Sequence, residues 1–179
     1  MFRNIRKPFA SLLFIVMLLP FSARAELSIA VVDVDYVLTQ SSAAKSLKKQ
    51  VEDKRKKFIG EVKSEEESLI AEQKKIEGQR KDISQEDLIK KAQGFEKKRI
   101  EARKKIQTRK NGLDKAYGEA MSNLTKVIYE VCQTIADEKG IDLVITRQNI
   151  IVGNMSLDIT KEVASRMNKK LPNVTLNVK

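Results

Sequence analysis

The sequence contains no histidine, no tryptophan and a single cysteine. Without histidine, an imidazole metal site, a Ser-His-Asp triad and a Cys-His pair are all excluded. The phosphate-loop pattern G-x-x-x-x-G-K-[ST] and the nucleophile pattern G-x-S-x-G are also absent, so nucleotide hydrolysis and serine-hydrolase chemistry lack their usual residues. Carboxylates are plentiful, but they lie in charged stretches where nothing predicts desolvation. We therefore expect no enzyme activity, no metal and no cofactor.

The single cysteine, Cys132, cannot form a disulfide within the chain. Its neighbours Ile128, Val131 and Ile135 recur at helical spacing and place it on the apolar side of a helix. We interpret it as a small buried core residue. A redox thiol or a bridge between two chains is the alternative interpretation.

Proline is scarce as well, and Pro8, Pro20 and Pro172 all lie outside residues 41–139. That stretch is rich in strong helix formers. It is interrupted at 81–85, where Ser84 followed by two acids is typical of a helix N-cap. We predict two long helices folded back on each other, the second ending at Gly140 as its C-cap. The first helix, of about 40 residues from Ser41 to Arg80, would span roughly 60 Å, and this hairpin is called the arm.

Residues 1–25 combine three basic residues, an apolar run from 9 to 21, and Ala23-Arg24-Ala25. This order is typical of a secretory signal peptide, with cleavage expected after Ala25. A transmembrane anchor is the alternative, but the run is short for a bilayer and carries Pro20. Removal of residues 1–25 takes away four basic residues and no acid, so the formal net charge falls from +11 to +7. We predict an exported, basic mature protein.

Short β-branched runs flank the arm and predict a small body. Residues 27–33 predict one strand, and 141–145 and 149–152 predict two more joined by a tight loop. Residues 158–168 predict a capped helix, and the tail from Pro172 is either an edge strand or loose. Because the arm leaves after the first strand and returns before the second, these strands can meet in one sheet. So small a body needs other copies of the chain to complete it.

Apolar residues along the second helix recur three and four apart, which predicts a coiled-coil seam. The seam is dense near the body, around Leu124, and is interrupted toward the turn by Arg99 and Arg109. We therefore expect a tightly packed root beside the body and a loosely packed tip. Five glycines lie within the arm, and they indicate either flexible arms or a close approach of the two helices: Gly60, Gly78, Gly94, Gly112 and Gly118.

Basic residues are unevenly distributed along the arm. With a turn centred near Ile83, residues of the two helices face each other when their numbers add to about 166. This places Lys54, Arg55, Lys56 and Lys57 opposite Arg109 and Lys110, with no acid at that level. These six residues form a predicted basic belt for acidic chains or anionic head groups. An ordinary solvated charged surface is the alternative for any single lysine.

The strand 28–33, the long basic hairpin, the run Gly140-Ile141-Asp142-Leu143-Val144-Ile145 and Asp158-Ile159-Thr160 before a last helix together resemble the Skp/OmpH family of periplasmic chaperones. The resemblance covers the mature chain, 26–179. It implies an α+β, mostly α fold: a long antiparallel helical hairpin on a small β body completed by trimerisation. The body would comprise 26–40 and 140–179 of a single domain, and the arm 41–139.

The resemblance also implies a function. It predicts an ATP-independent periplasmic holdase, a homotrimer that binds unfolded outer-membrane proteins and prevents their aggregation. Ile29, Val31, Leu143 and Ile145 would serve the trimer body. Anionic lipid or lipopolysaccharide is a further implied partner, without assigned residues. The inner surface of the arms would contact clients through Phe58, Leu69, Ile76, Phe95 and Ile106.

Two other functions remain compatible with an elongated basic protein. One is binding of nucleic acid or anionic lipid, although export argues against nucleic acid and interleaved acids dilute the basic surface. The other is a structural spacer of the envelope, for which a better-packed seam and an anchor are expected.

Overall fold

The computed structural model describes residues 27–178, so the predicted signal peptide lies outside the described residues. Within residues 27–178, nine elements follow each other. In order, they are β1 (Ile29–Val32), α1 (Val34–Gln40), α2 (Ser42–Gly78), a 3-10 turn (Gln79–Lys81), α3 (Gln85–Lys139), β2 (Leu143–Thr146), two further 3-10 turns (Arg147–Asn149 and Met155–Leu157) and α4 (Thr160–Lys170).

Helices α2 and α3 form the predicted arm, and capping residues fix their ends. The Ser41 hydroxyl accepts a hydrogen bond from the Ala44 N–H at the start of α2. The Ser84 hydroxyl does the same for the Asp87 N–H, 3.1 Å away, at the start of α3. Gly140 ends α3 with φ at 63°, a left-handed conformation that favours glycine. The predicted turn and both predicted caps of α3 are confirmed.

The packed core lies at the root of the arm, where α2 and α3 meet the strands and α4. Leu124, Ile128 and Ile135 are fully buried there. Toward the tip, Ala102 is the last buried residue of the arm within the described chain. The predicted contrast between a dense root and a sparse tip is confirmed. The remaining core residues of the two helices include Ala43, Leu47, Val51, Leu113, Ala116, Ala120, Val131 and Cys132.

The pairing of the two arm helices differs from the prediction by four residues. Lys98 bonds Glu72 at 2.6 Å, and Lys105 lies 4.0 Å from Glu65, so facing residues add to 170 and not to 166. The 3-10 turn at 79–81 contributes to the shift, since it rises about 2.0 Å per residue against 1.5 Å in an α-helix. The first helix therefore climbs further before the chain returns.

Strands β1 and β2 pair in parallel, with Ile29 opposite Leu143 and Val31 opposite Ile145. The arm is the crossover between them, so the prediction that strands from both ends of the chain meet is confirmed. Ala30 and Val32 point to the opposite side of the sheet and belong to the core.

The predicted third strand at 149–152 is wrong. Residues 147–149 form a 3-10 turn, and residues 151–152 are a bend with Ile151 fully exposed. Within 27–178, no strand pairs with the backbone of this segment, and an apolar run without a pairing strand forms no β-ladder.

The tail after α4 is neither of the two predicted alternatives. It forms no strand in the described range, yet Val174 and Leu176 are buried against the root of the arm. The Leu171 N–H closes α4 by donating to the Met167 carbonyl. Pro172 then directs the chain away from helical geometry. Within residues 27–178, no helix is long and apolar enough to cross a bilayer.

Asp158 ties the body together. Its carboxylate accepts a hydrogen bond from Arg147 at 2.6 Å and another from the Thr160 N–H at 2.8 Å. Partial burial raises the pKa of Asp158, but the Thr160 hydrogen bonds and the charge of Arg147 outweigh burial and hold the pKa below 3.8. A carboxyl with a depressed pKa stabilises the fold above its ordinary pKa, and this contribution is lost as the pH falls through the folded value.

Asp158→Asn is therefore expected to lower the free energy of unfolding by about 1–2 kcal/mol at pH 7. Its loss of stability below about pH 4 should also be smaller than that of the parent protein. Urea unfolding at pH 7, 4.5 and 3 measures both effects. Asp53→Asn, on an exposed position of α2, is the matched control. Equal acid sensitivity of parent and Asp158→Asn would contradict the assignment.

Close helix approach does not explain the arm glycines whose surroundings are described. A Cβ built at Gly60, Gly94 or Gly118 meets no heavy atom within 4 Å. Replacing all three by alanine is therefore expected to stabilise the arm by about 1.5–3 kcal/mol. Thermal unfolding followed at 222 nm measures the gain, and a lower midpoint would contradict it.

Candidate interaction surfaces

The five predicted client contacts are half-buried between the arm helices and do not stand out from the surface. Phe58 and Ile106 line one cleft of about 440 Å³, together with Val62 and Ala102. Ile76 and Phe95 lie nearly level with each other toward the tip, and Leu69 lies between these two sites. The structure therefore distributes the five residues along the arm seam, and their role in client binding stays a prediction.

Sequence reasoning missed a second apolar set, which is more exposed. Ile59, Ile70, Ile89 and Ile100 have exposed fractions of 67%, 53%, 49% and 56%. Ile59 and Ile70 are eleven residues apart, and so are Ile89 and Ile100. Eleven residues make about three helical turns, so each of these two pairs lies on one face of its helix. Ile70 and Ile100 add to 170 and are therefore level across the hairpin. The signal available in the sequence was the eleven-residue spacing within each helix. Ile59 and Ile70, for example, each lie one position after the seam residues 58 and 69.

The six residues of the predicted basic belt are all exposed. The expectation that no acid lies opposite Arg109 is wrong, because Arg109 forms an ion pair with Glu61 across the two helices. The four-residue shift in pairing is the cause. Lys54 and Lys57 lie in a cleft with Arg109 and Phe58, so three of the six share one site. Binding of anionic groups there stays a prediction.

The four residues predicted for the trimer body lie on one face of the sheet as two cross-strand pairs. Ile29 and Ile145 are half-buried, Leu143 is 45% exposed, and Val31 is buried. The outer edge of β2 has no strand beside it within residues 27–178. The sheet thus presents an apolar face and an open edge.

A neighbouring loop extends this apolar surface and was not singled out from the sequence. Ile151, Val152 and Met155 are 101%, 90% and 81% exposed. A cleft of about 320 Å³ joins Ile151 and Met155 to Val31. The sequence signal for this loop was the apolar run at 149–152, which was assigned to a strand.

Cys132 is buried at the root of α3, and burial raises the pKa of its thiol. This agrees with its interpretation as a core residue. Residues 27–178 contain no cluster of three or more Cys, Asp or Glu side chains arranged to hold a metal ion.

The sequence model of the family described as outer membrane protein (OmpH-like) matches residues 28–167. The chain belongs to the OmpH-like family. Among proteins of curated function, none matches it. The fold of this OmpH-like chain is similar to that of a candidate outer membrane chaperone (OmpH-like) from Caulobacter crescentus, which is known from a crystal structure. The TM-score is 0.78 at 17% identity, over 87% of this chain and 92% of that one. The predicted family is confirmed, as is the predicted fold of a long helical arm on a small sheet, whereas its completion by trimerisation stays a prediction. The OmpH-like match ends before the tail.

Proposed function

We propose that the protein is an ATP-independent periplasmic holdase that binds unfolded outer-membrane proteins. Membership of the OmpH-like family supports a chaperone role, as does the name of the Caulobacter relative. The observation that carries the proposal is the apolar set Ile59, Ile70, Ile89 and Ile100, whose side chains are between 49% and 67% exposed on helices with a mainly charged surface. A spacer would gain solubility by replacing these side chains.

Such an arm can retain a client through many weak contacts. Each exposed isoleucine buries only a small apolar area on a client segment, so each contact is weak. Several contacts on one arm, and several arms on one particle, raise the effective concentration enough for net retention. Since the chaperone binds the unfolded state preferentially, it lowers the free concentration of aggregating chain without an energy source.

The proposed assembly is a homotrimer formed through the body. The apolar sheet face, the open edge of β2 and the exposed loop at 151–155 support it, because an unpaired strand edge and a contiguous apolar surface favour association. Three bodies joined in this way would carry three arms. A signal peptide over residues 1–25, cleaved after Ala25, would deliver the chain to the periplasm.

The basic belt would accelerate the first encounter with acidic clients. Lys54, Arg55, Lys56, Lys57 and Lys110 are exposed, and charge of one sign on an exposed surface steers diffusion at low salt. Anionic lipid or lipopolysaccharide would use the same charge, whereas nucleic acid is not an expected partner in the periplasm.

The test is aggregation of a denatured outer-membrane barrel protein on dilution from urea. The mature chain, added without nucleotide at a molar ratio of about three to one, is expected to suppress light scattering. Suppression should set in more slowly as the salt rises from about 0.05 to 0.5 M, because screening weakens steering. Undiminished scattering at this ratio would overturn the proposal.

A further inference from the structure

The tail beyond α4 binds the arm as an extended chain. Val174 and Leu176 are buried, with exposed fractions of 9% and 5%, whereas residue 175 between them and the flanking residues 173 and 177 are exposed. This alternation has the period of two found in a β-strand. The two buried side chains join the core that also contains Val51 and Leu113. An extended segment therefore occupies a groove at the root of the arm.

One side chain of α2 holds the backbone of this segment. The Gln50 amide donates to the Val174 carbonyl at 2.7 Å and accepts from the Leu176 N–H at 2.9 Å. In a parallel sheet, a residue bonds the neighbouring strand in the same way. It donates to the carbonyl that precedes one residue of that strand and accepts from the N–H that follows the same residue. Gln50 also donates to the Ser46 hydroxyl within α2, but both of its bonds to the tail go to backbone atoms. These two bonds therefore do not depend on which side chains the segment carries.

The groove continues along the arm beyond the part that the tail fills. The four steps of extended chain from Val174 to Val178 span about 13 Å, which matches the rise of about 12 Å along α2 from Gln50 to Phe58. Val178 lies in a cleft with Lys54, Lys57 and Phe58. Phe58 also lines the next, larger cleft toward the tip, together with Val62 and Ile106.

We propose that this groove is a binding site for extended chains of alternating polarity, which the protein's own tail occupies until a client segment displaces it. The groove comprises Gln50, Val51, Leu113 and the clefts around Phe58. The inference rests on the proposed function, and it names the segment recognised: the strands of outer-membrane barrels alternate apolar and polar residues with the same period. The tail is a tethered competitor whose sequence, Val-Thr-Leu-Asn-Val at 174–178, has that pattern.

Displacement follows from mass action. The tail is held by two hydrogen bonds and two buried side chains, and its local concentration is in the millimolar range because it is tethered. A single short peptide competes poorly with it. An unfolded barrel protein offers many alternating segments, and once held by the exposed isoleucines it reaches a comparable local concentration. The tail thereby restricts the groove to clients already captured by the arm.

The test uses a chain that ends at Leu171 and a fluorescent peptide of residues 172–179. Anisotropy should show saturable binding to the shortened chain and at least tenfold weaker binding to the full chain, whose own tail competes. Gln50→Ala in the shortened chain should weaken binding about tenfold, because two backbone hydrogen bonds are lost. A peptide that keeps the alternation with other apolar residues should bind comparably. The same residues rearranged into one apolar block should not bind.

Far-UV circular dichroism establishes that the shortened chain is folded. If it is not, the full chain with Val174→Asp and Leu176→Asp, which frees the tail without deleting it, takes its place. Hydrogen exchange on the intact chain gives a second readout: excess alternating peptide should speed exchange of the Leu176 amide, and the blocked peptide should not. Equal peptide binding by the full and shortened chains, or no binding by either, would overturn the groove.

Light scattering on the same variants separates this inference from the proposed function. If the peptide fails to bind but the shortened chain still suppresses aggregation, the groove is refuted and the holdase function stands. If the peptide binds but neither chain suppresses aggregation, the groove is an extended-chain site in a protein that is not a holdase.

Discussion

Replacing Ile151, Val152 and Met155 by aspartate is expected to reduce the particle mass in solution to one third of the parent value. In the single chain these side chains are 101%, 90% and 81% exposed, so the introduced carboxylates are solvated there. In the proposed trimer, the loop lies against another body. Burying an unpaired carboxylate there costs several kcal/mol, and three apolar contacts of about 1.5–3 kcal/mol each are lost.

Light scattering coupled to size exclusion at about 10 μM measures the mass. Ile59→Asp with Ile70→Asp and Ile89→Asp adds the same charge on the arm and should leave the mass unchanged. Helix content by circular dichroism shows whether each copy remains folded. A variant with the parent mass, or a parent that is already a monomer, would contradict the proposed body.

The sequence was sufficient to predict the elements whose cause is local. The absence of proline, the cap at Ser84 and the left-handed position at Gly140 define both ends of α3 without any tertiary information. The two strands were found from their β-branched runs, and their meeting followed from chain order. The dense root was predicted because apolar side chains recur there at helical spacing.

The wrong predictions concern features that depend on contacts between distant parts of the chain. The four-residue shift between α2 and α3 depends on the geometry of the turn at 79–84, and it reversed the expectation for Arg109, which pairs with Glu61. The segment 149–152 has the composition of a strand but no ladder partner within 27–178, so composition alone misassigned it. The tail packs because Gln50 bonds its backbone at Val174 and Leu176, which lie 124 and 126 positions further along the chain. Such a distance leaves no periodic signal.

The exposed isoleucines were missed for a different reason. The seam pattern identifies residues that face the partner helix, and Ile59 and Ile70 each lie one position beyond such a residue. Their eleven-residue spacing is visible in the sequence, but only the structure shows that these side chains are exposed. Their exposure supports the proposed contacts with other molecules, since an exposed large aliphatic side chain contributes little to the stability of its own helix.

Replacing Ile59, Ile70, Ile89 and Ile100 by serine is expected to weaken client retention about tenfold or more, measured as the chaperone concentration that halves aggregation. Losing half the apolar area of one isoleucine contact removes about 1 kcal/mol, and losses at several sites exceed the 1.4 kcal/mol that corresponds to tenfold. Stability should be nearly unchanged, because the four side chains are exposed and isoleucine and serine have similar helix propensities.

The control replaces Gln73, Gln93 and Gln107 by serine, since these residues lie exposed on the same helices and end in a polar amide. The control should retain the parent activity and salt dependence. In the isoleucine variant, the early salt-dependent capture should persist while held client is lost faster, because charge governs encounter and apolar contact governs release. Full suppression of aggregation by the isoleucine variant would instead assign retention to the seam residues, Phe58 and Ile106 first, whose cleft would then be the site to mutate.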